Sequence, residues 1–351
     1  MGLERHHQIN HAPVTASAIN IPDDLLIAEV LACLPVKSVV RFKCVQKSWL
    51  AATKNDWFVC HHLKFSRAMP PDVLIVPRQE CSDDEDEEIG LSNEINFYRL
   101  HEPLGIDIDD IKVELMLEAV QPEVITHTSL PTHCDGLVAI ATTTDQVYIS
   151  NPATKEFVTL PLGSHDVCEI KSPSAALGFN PRRNRYVIAR YFYRNYMVFE
   201  DEDTCEQSFE YYIGHKVFTL GLGHSWDITD NPPHAICPFA RPICMRGAFY
   251  CWQTTCQNQF GHSATTLMSS SRRLVPMVTV LSRDTEMLIA LGNEKLYQFY
   301  EWSDTMSEVV DMEDLEYERQ DGSMLTCGDI GPVLYHVVPF VKSLVSISPP
   351  N

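Results

Sequence analysis

The sequence predicts an α+β chain of two unlike parts, a small helical module near the start followed by a large all-β domain. Three observations carry that reading. Apolar residues recur with helical spacing between Ile21 and about Ser66. From Asp72 onward they fall into short runs rich in β-branched and aromatic residues, separated by turn residues such as Asn180-Pro181 and Asn231-Pro232-Pro233. Charge divides at the same boundary: residues 21–66 hold 6 basic and 4 acidic side chains, whereas residues 67–351 hold 20 basic and 42 acidic, a net −22. The divisions expected are therefore a polar, disordered leader over residues 1–20, the helical module over 21–66, and the β domain over 67–351.

Within the module, Ile27, Val30, Leu31 and Leu34 fall at i, i+3, i+4 and i+7, one stripe of an amphipathic helix. Pro22, Asp23 and Asp24 mark its N-terminus, where a fixed φ and negative charge both favour helix initiation, and Pro35 ends it. Val36, Val39, Val40, Cys44, Val45 and Trp49 continue the spacing through two further short segments. Asn55 or Asp56 is placed to cap a last helix carrying Phe58, His62 and Phe65. A unit of this size is near the lower limit for an independent core, so part of its apolar surface suits a partner.

The β domain reads as strands at Val73–Val76, Ile95–Leu100, Leu137–Ile140, Gln146–Ile149, Phe157–Leu160, Tyr186–Tyr193 and Glu210–Leu220. More follow at Ala248–Gln253, Leu274–Leu281, Met287–Leu291, Lys295–Trp302 and Leu334–Val338, with no long helical crossover between them. This length of chain divides into about six or seven four-stranded units, as a β-propeller requires, but no clear internal signature recurs, and a pair of β-sandwiches fits the pattern as well. Ser82–Glu88 is a block of like charge, read as a solvated acidic loop near residues 80–94.

Composition bounds the function. The formal charge of −20 opposes binding to nucleic acid or to an anionic membrane and suits a basic partner. Residues 1–20 lack the apolar core of a secretory signal, and no segment has the run of apolar residues that spans a bilayer. The 12 cysteines show no small-scaffold rhythm and no Asn-x-Ser/Thr sequon occurs, so reduced thiols in a cytoplasmic or nuclear compartment are expected.

Motifs for chemistry are weak. Cys237, Cys244, Cys251 and Cys256, with His234 and His262, form the densest grouping of metal-ligating types, but no C-x-x-C occurs and the spacing does not suit a zinc knuckle. In Gly223-His224-Ser225-Trp226-Asp227 an Asp stands where a nucleophile elbow needs its second glycine. Gly221 and Gly223 lead into no helix that would present amides to a phosphate. The reading is a chain with no catalytic residue, no metal and no cofactor.

The run Ile21-Pro22-Asp23-Asp24-Leu25-Leu26, followed by Leu34-Pro35-Val36-Lys37-Ser38 and Val45-Gln46-Lys47-Ser48-Trp49, resembles the F-box of plant proteins, with Gln46 where the pattern has Cys. Farther on, Cys134-Asp135-Gly136-Leu137, Ser150-Asn151-Pro152-Ala153-Thr154-Lys155, Leu177–Pro181 with Tyr186–Ile188, Trp226–Pro232, Pro238–Trp252 and Pro339–Ser346 are similar, in order, to segments of plant F-box-associated domains. The resemblance implies a propeller-like β domain. It also implies that Pro22, Leu25, Leu31, Leu34, Pro35, Val39, Val40, Val45 and Trp49 divide between the module's core and a groove on a Skp-family adaptor, and through it a cullin ubiquitin ligase. The β domain would hold a protein substrate, by charge a basic one. Tyr191, Tyr193, Trp226, Trp252 and Trp302 are aromatic candidates for its surface, and nothing in the sequence selects among them. An adaptor-independent interaction scaffold and a propeller enzyme are the competing readings.

Overall fold

Helix-forming spacing and strand-forming runs separate in space as they do along the chain. The computed structural model describes residues 22–79, 93–101, 111–123, 125, 128–142, 146–163, 175–200, 207–229, 243–245, 248–250, 264–267, 278–283, 286–291, 294–300, 303, 305–325 and 333–348. The leader and the acidic block Ser82–Glu88 lie outside these residues.

The first helical run is not one amphipathic helix. It opens as α1 (Asp23–Leu25), widens into a π turn (Leu26–Val30) and tightens into a 3-10 turn (Leu31–Cys33). The wide turn breaks the expected phase: Leu31 and Ala32 go into the core, while Val30 is turned out to solvent. Leu34, the residue before Pro35, has extended backbone at ψ 151°, as a following proline demands, so the run stops before Pro35 as expected. Helices α2 (Val36–Phe42), α3 (Lys47–Thr53) and α4 (Asp56–Ala68) follow. Asn55 is the cap of α4, its side chain accepting the Trp57 N–H at 2.8 Å.

Four antiparallel sheets and a two-stranded ribbon make up the β part among the described residues. The first sheet runs β1 (Asp72–Gln79), β2 (Glu94–His101) and β3 (Lys112–Val120), and is headed by β19 (Val333–Phe340), which pairs antiparallel with β1 from Asp72↔Phe340 to Gln79↔Val333. The second is β4 (Thr132–Cys134), β5 (Leu137–Ala141), β6 (Val147–Asn151) and β7 (Glu156–Thr159). The third holds β8 (Ala176–Asn180), the long β9 (Arg185–Glu200) and β10 (Gln207–Thr219), and β11 (Asp227–Thr229), with β14 (Ala264–Leu267) also on β10. Between them in sequence, β12 (Ile243–Met245) and β13 (Ala248–Tyr250) form the ribbon. The fourth sheet is the meander β15 (Val278–Arg283), β16 (Glu286–Leu291), β17 (Lys295–Tyr300) and β18 (Thr305–Asp311). The described residues give five sheet units, in which β9 and β10 are the longest strands at 16 and 13 residues.

Successive sheets share cores face to face. On β1, Val73 and Ile75 pack toward the fourth sheet, while Leu74 and Val76 pack toward the second. On β5, Val138 and Ile140 face the first sheet, and Leu137, Ala139 and Ala141 face the third. Burial on both faces explains why these strands read as continuous apolar runs rather than as an alternation. The heading strands also lie beside one another, β15 by β19, β19 by β4, β4 by β8 and β8 by β12. Strands β3 and β18 escaped the sequence reading because they are outer strands with charged and partly exposed side chains such as Glu114, Glu118 and Glu308.

Candidate adaptor-binding face and its seating on the β domain

Fourteen large hydrophobic residues among those described are exposed; seven of them, Leu25, Val30, Val40, Val45, Leu50, Trp57 and Phe65, belong to the helical module, and Met69 follows directly on α4. The residues singled out from the sequence fall into three groups. Pro22, Leu25, Pro35, Val40 and Val45 lie at the surface, Leu25 at 54% and Val45 at 64% exposure. Leu34 and Trp49 are half-buried, with Trp49 edge-on to Phe42 at 5.7 Å between ring centroids. Leu31 and Val39 fall on the core side of the expected division: both are buried among Ala32, Val36 and Phe58.

The exposed residues are held by specific bonds. Gln46 donates from Nε2 to Asp23 at 2.9 Å, tying the entrance of α3 to α1. The Leu34 carbonyl, left over where the 3-10 turn stops, meets His62 Nε2 at 2.9 Å, and Ser66 Oγ lies 3.3 Å from His62 Nδ1. The neutral Nε2–H tautomer satisfies both, donating to the carbonyl and accepting the hydroxyl. Burial lowers the His62 pKa, and the bond to Leu34 only partly offsets that. His62 therefore positions the Leu34-Pro35 corner. The sequence offered it only as a packing residue on α4, since its partner is 28 positions away.

The segments that resemble the associated domain gather where the helices meet the sheets. Asp135 and Gly136 form the two-residue turn between β4 and β5, both with positive φ (54° and 84°), the pair that a tight hairpin of this twist requires. The Asp135 carboxylate receives the fork of Arg67 from α4 at 2.6 and 2.8 Å and the Tyr186 hydroxyl at 2.9 Å. Burial alone would lower the Arg67 pKa, but the bond and charge of Asp135 outweigh it and raise the value; for Tyr186, burial and the same carboxylate both push upward. Asn151 is fully buried, accepts the Ala153 N–H at 3.1 Å, and donates from Nδ2 to the carbonyls of Ser343 (3.2 Å) and Val345 (2.7 Å). Half-buried Ala153 packs on the helical core, and Leu63 of α4 enters the core between the second and third sheets. Lys37 of α2 reaches Glu114 of β3 at 3.4 Å.

Other sequence candidates have structural roles or lie elsewhere. Trp226 donates from its indole to the Pro161 carbonyl at 2.7 Å, packs near Phe218, and has the Lys216 ammonium 5.3 Å from its ring. The side chains of Tyr191, Tyr193, Trp252 and Trp302 lie outside the described residues. Of the cysteine grouping, Cys244 sits on β12, while Cys237, Cys251, Cys256, His234 and His262 lie outside the described residues. Among the described residues no set of three or more His, Cys, Asp or Glu is placed to hold a metal ion, and no helix is long and apolar enough to cross a membrane.

Residues 108–269 match the family described as the F-box associated beta propeller domain, a span that contains the Asp135-Gly136 turn, Asn151 and Tyr186. The chain is similar to a putative F-box protein of Arabidopsis thaliana, 25% identical over 242 residues, covering 66% of this chain and 53% of that protein. It is also similar to a second Arabidopsis thaliana F-box protein, 24% identical over 242 residues, with 66% and 55% covered. The chain thus spans about half the length of these curated relatives. The family match lies within the β part and covers residues 108–269, and both Arabidopsis thaliana relatives carry F-box protein names. Among solved structures the chain is similar to the Dos1 propeller at 8% identity, covering 69% of this chain and 75% of that one with a TM-score of 0.22, a score too low to carry an argument.

Proposed function

We propose that this chain is a non-catalytic substrate receptor of a Skp–cullin–F-box ubiquitin ligase. In this reading the helical module docks a Skp-family adaptor through Pro22, Leu25, Leu34, Pro35, Val40, Val45 and Trp49, and the β domain presents a target protein. The observation that carries it is the concentration of exposed large hydrophobic residues on the module, which holds seven of the fourteen among the described residues. A self-contained subdomain has no use for that surface, and a few such anchors supply most of the energy of a protein interface. The fold reading that goes with it is a propeller. Its support is the way heading strands neighbour one another from sheet to sheet, with β19 and β1 joining distant parts of the chain in one sheet. The net −22 of residues 67–351 favours a basic target, and a ligase receptor of this kind would work in cytoplasm or nucleus.

The test is calorimetry of the full chain against a purified plant Skp-family adaptor, with Leu25→Glu and Val45→Glu as surface variants that leave the core intact. The expected result is binding by the wild type, weakened by about 2–4 kcal/mol in each variant. A folded wild type that does not bind, or variants that bind as well as the wild type, would overturn the reading.

A further inference from the structure

After β19 the chain runs from Val341 to Ser348 without helix or strand, yet Ser343, Leu344, Val345 and Ile347 are all buried. Their side chains part in two directions. Leu344 enters the helical core beside Leu31, Ala32, Val36, Val39 and Phe58, and among the described residues it is the one fully buried member of that core from outside the helices. Val345 and Ile347 enter the core between the second and third sheets, the same core that receives Leu63 of α4. The segment's polar groups are met from the β part: Asn151 holds two carbonyls, Glu156 accepts from Ser346 Oγ and the Ile347 N–H, both at 2.9 Å, and Ser343 Oγ donates to the Asp135 carbonyl. Lys43 of the helical module is near enough to Glu156 for their charges to interact, so that one carboxylate faces both the segment and the helices.

We propose that residues 343–347 are an integral part of the helical module, completing its core and clasping it to the second and third sheets, and so set the direction in which the exposed apolar face points. The functional meaning rests on the adaptor reading above: a ligase that raises the local concentration of a bound target gains only if the two binding surfaces keep a fixed geometry. A helical unit this small sits near the lower limit for an independent core. Here the missing buried side chain arrives from the far end of the β domain. Leu344 and Asn151 are then positioning residues, acting through the core and through the segment's backbone.

The experiment is hydrogen exchange of the full chain in four forms: wild type, Leu344→Ala, Asn151→Ala, and Leu296→Ala as a matched core deletion between the first and fourth sheets. We expect Leu344→Ala and Asn151→Ala to speed exchange in α2 and α4 by about tenfold or more while β16 and β17 keep wild-type protection, and Leu296→Ala to do the reverse. Leu344→Val serves as a milder form should the alanine variant unfold the chain. Wild-type exchange in the helices of both Leu344 variants, or an equal loss of protection everywhere, would overturn the clasp. Parallel titration with the Skp-family adaptor separates the two ideas: a wild type that fails to bind while the helices loosen selectively sinks the adaptor reading and leaves the clasp, and binding without selective loosening does the opposite.

Discussion

Gly136 shows what one position can carry. Its φ of 84° is costly for any residue with a Cβ, and an added Cβ would also run into the Val341 carbonyl and lie 2.6 Å from Ser343 Oγ. Gly136→Ala is therefore expected to destabilise the protein by roughly 2–4 kcal/mol, measured as a lower urea midpoint, against nearly no effect for a glycine exposed in a loop. A cost below about 0.5 kcal/mol would mean that the segment over the turn moves aside freely. Two further turns share a local grammar: Asn151-Pro152 and Asn180-Pro181 each open a four-residue turn in which the Asn side chain accepts a backbone N–H, and each closes on a positive φ, at Lys155 and at Asn184. At this scale the sequence was partly legible. The Asn55 cap and the stop before Pro35 follow from local chemistry, whereas the roles of Asp135, Asn151 and His62 depend on partners far along the chain.

At the scale of the element, α4 joins the helices to the sheets. One side buries Phe58, His62 and Leu63, its last turn sends Arg67 to Asp135, and the outward side carries Trp57 stacked on His61, with Phe65 edge-on to His61, at ring-centroid distances of 5.0 and 5.1 Å. The pH response of this element follows from His62. Burial sets its folded pKa below the unfolded value of about 6.5, so between those two values the unfolded chain binds more protons. Stability from this group is complete above about pH 6.5 and declines as pH falls through the window beneath it. The check is the urea midpoint at pH 7.5 and 5.5 in wild type and His62→Gln. His215, also lowered by burial, acts with the same sign in both, so the difference isolates His62. The variant is expected to lose less stability on acidification, and an identical loss would remove His62 as the source. The legible part of the module was its helix content. The π turn that displaces Val30 was not, because spacing alone assumes one helical pitch throughout.

Across the whole molecule, the sheets are stabilised by sharing faces rather than by separate cores. Leu74 and Ile75 are neighbours on β1, each with no exposed surface, yet they serve different sheet interfaces. Leu74→Ala and Ile75→Ala are each expected to cost about 2–5 kcal/mol in urea unfolding, because each leaves a cavity between two sheets that cannot collapse independently. A small cost for one and a large cost for the other would show that one interface is loosely packed. The sequence revealed the large β domain and most of its strands from composition and turn residues, but the order in which sheets stack lies in contacts between distant segments, which no local pattern encodes.

The pairing of β1 with β19, together with the place of Leu344 in the helical core, also bears on synthesis. A ribosome adding about 5–20 residues per second makes the helices of this protein early, then spends a further ten to sixty seconds or so before Leu344 emerges. Throughout that interval β1 lacks a neighbour on one side and the helical core lacks a side chain. A nascent or prematurely terminated chain consequently carries a helical core with a gap in it, and only a chain translated past Leu344 supplies all of that core's buried side chains.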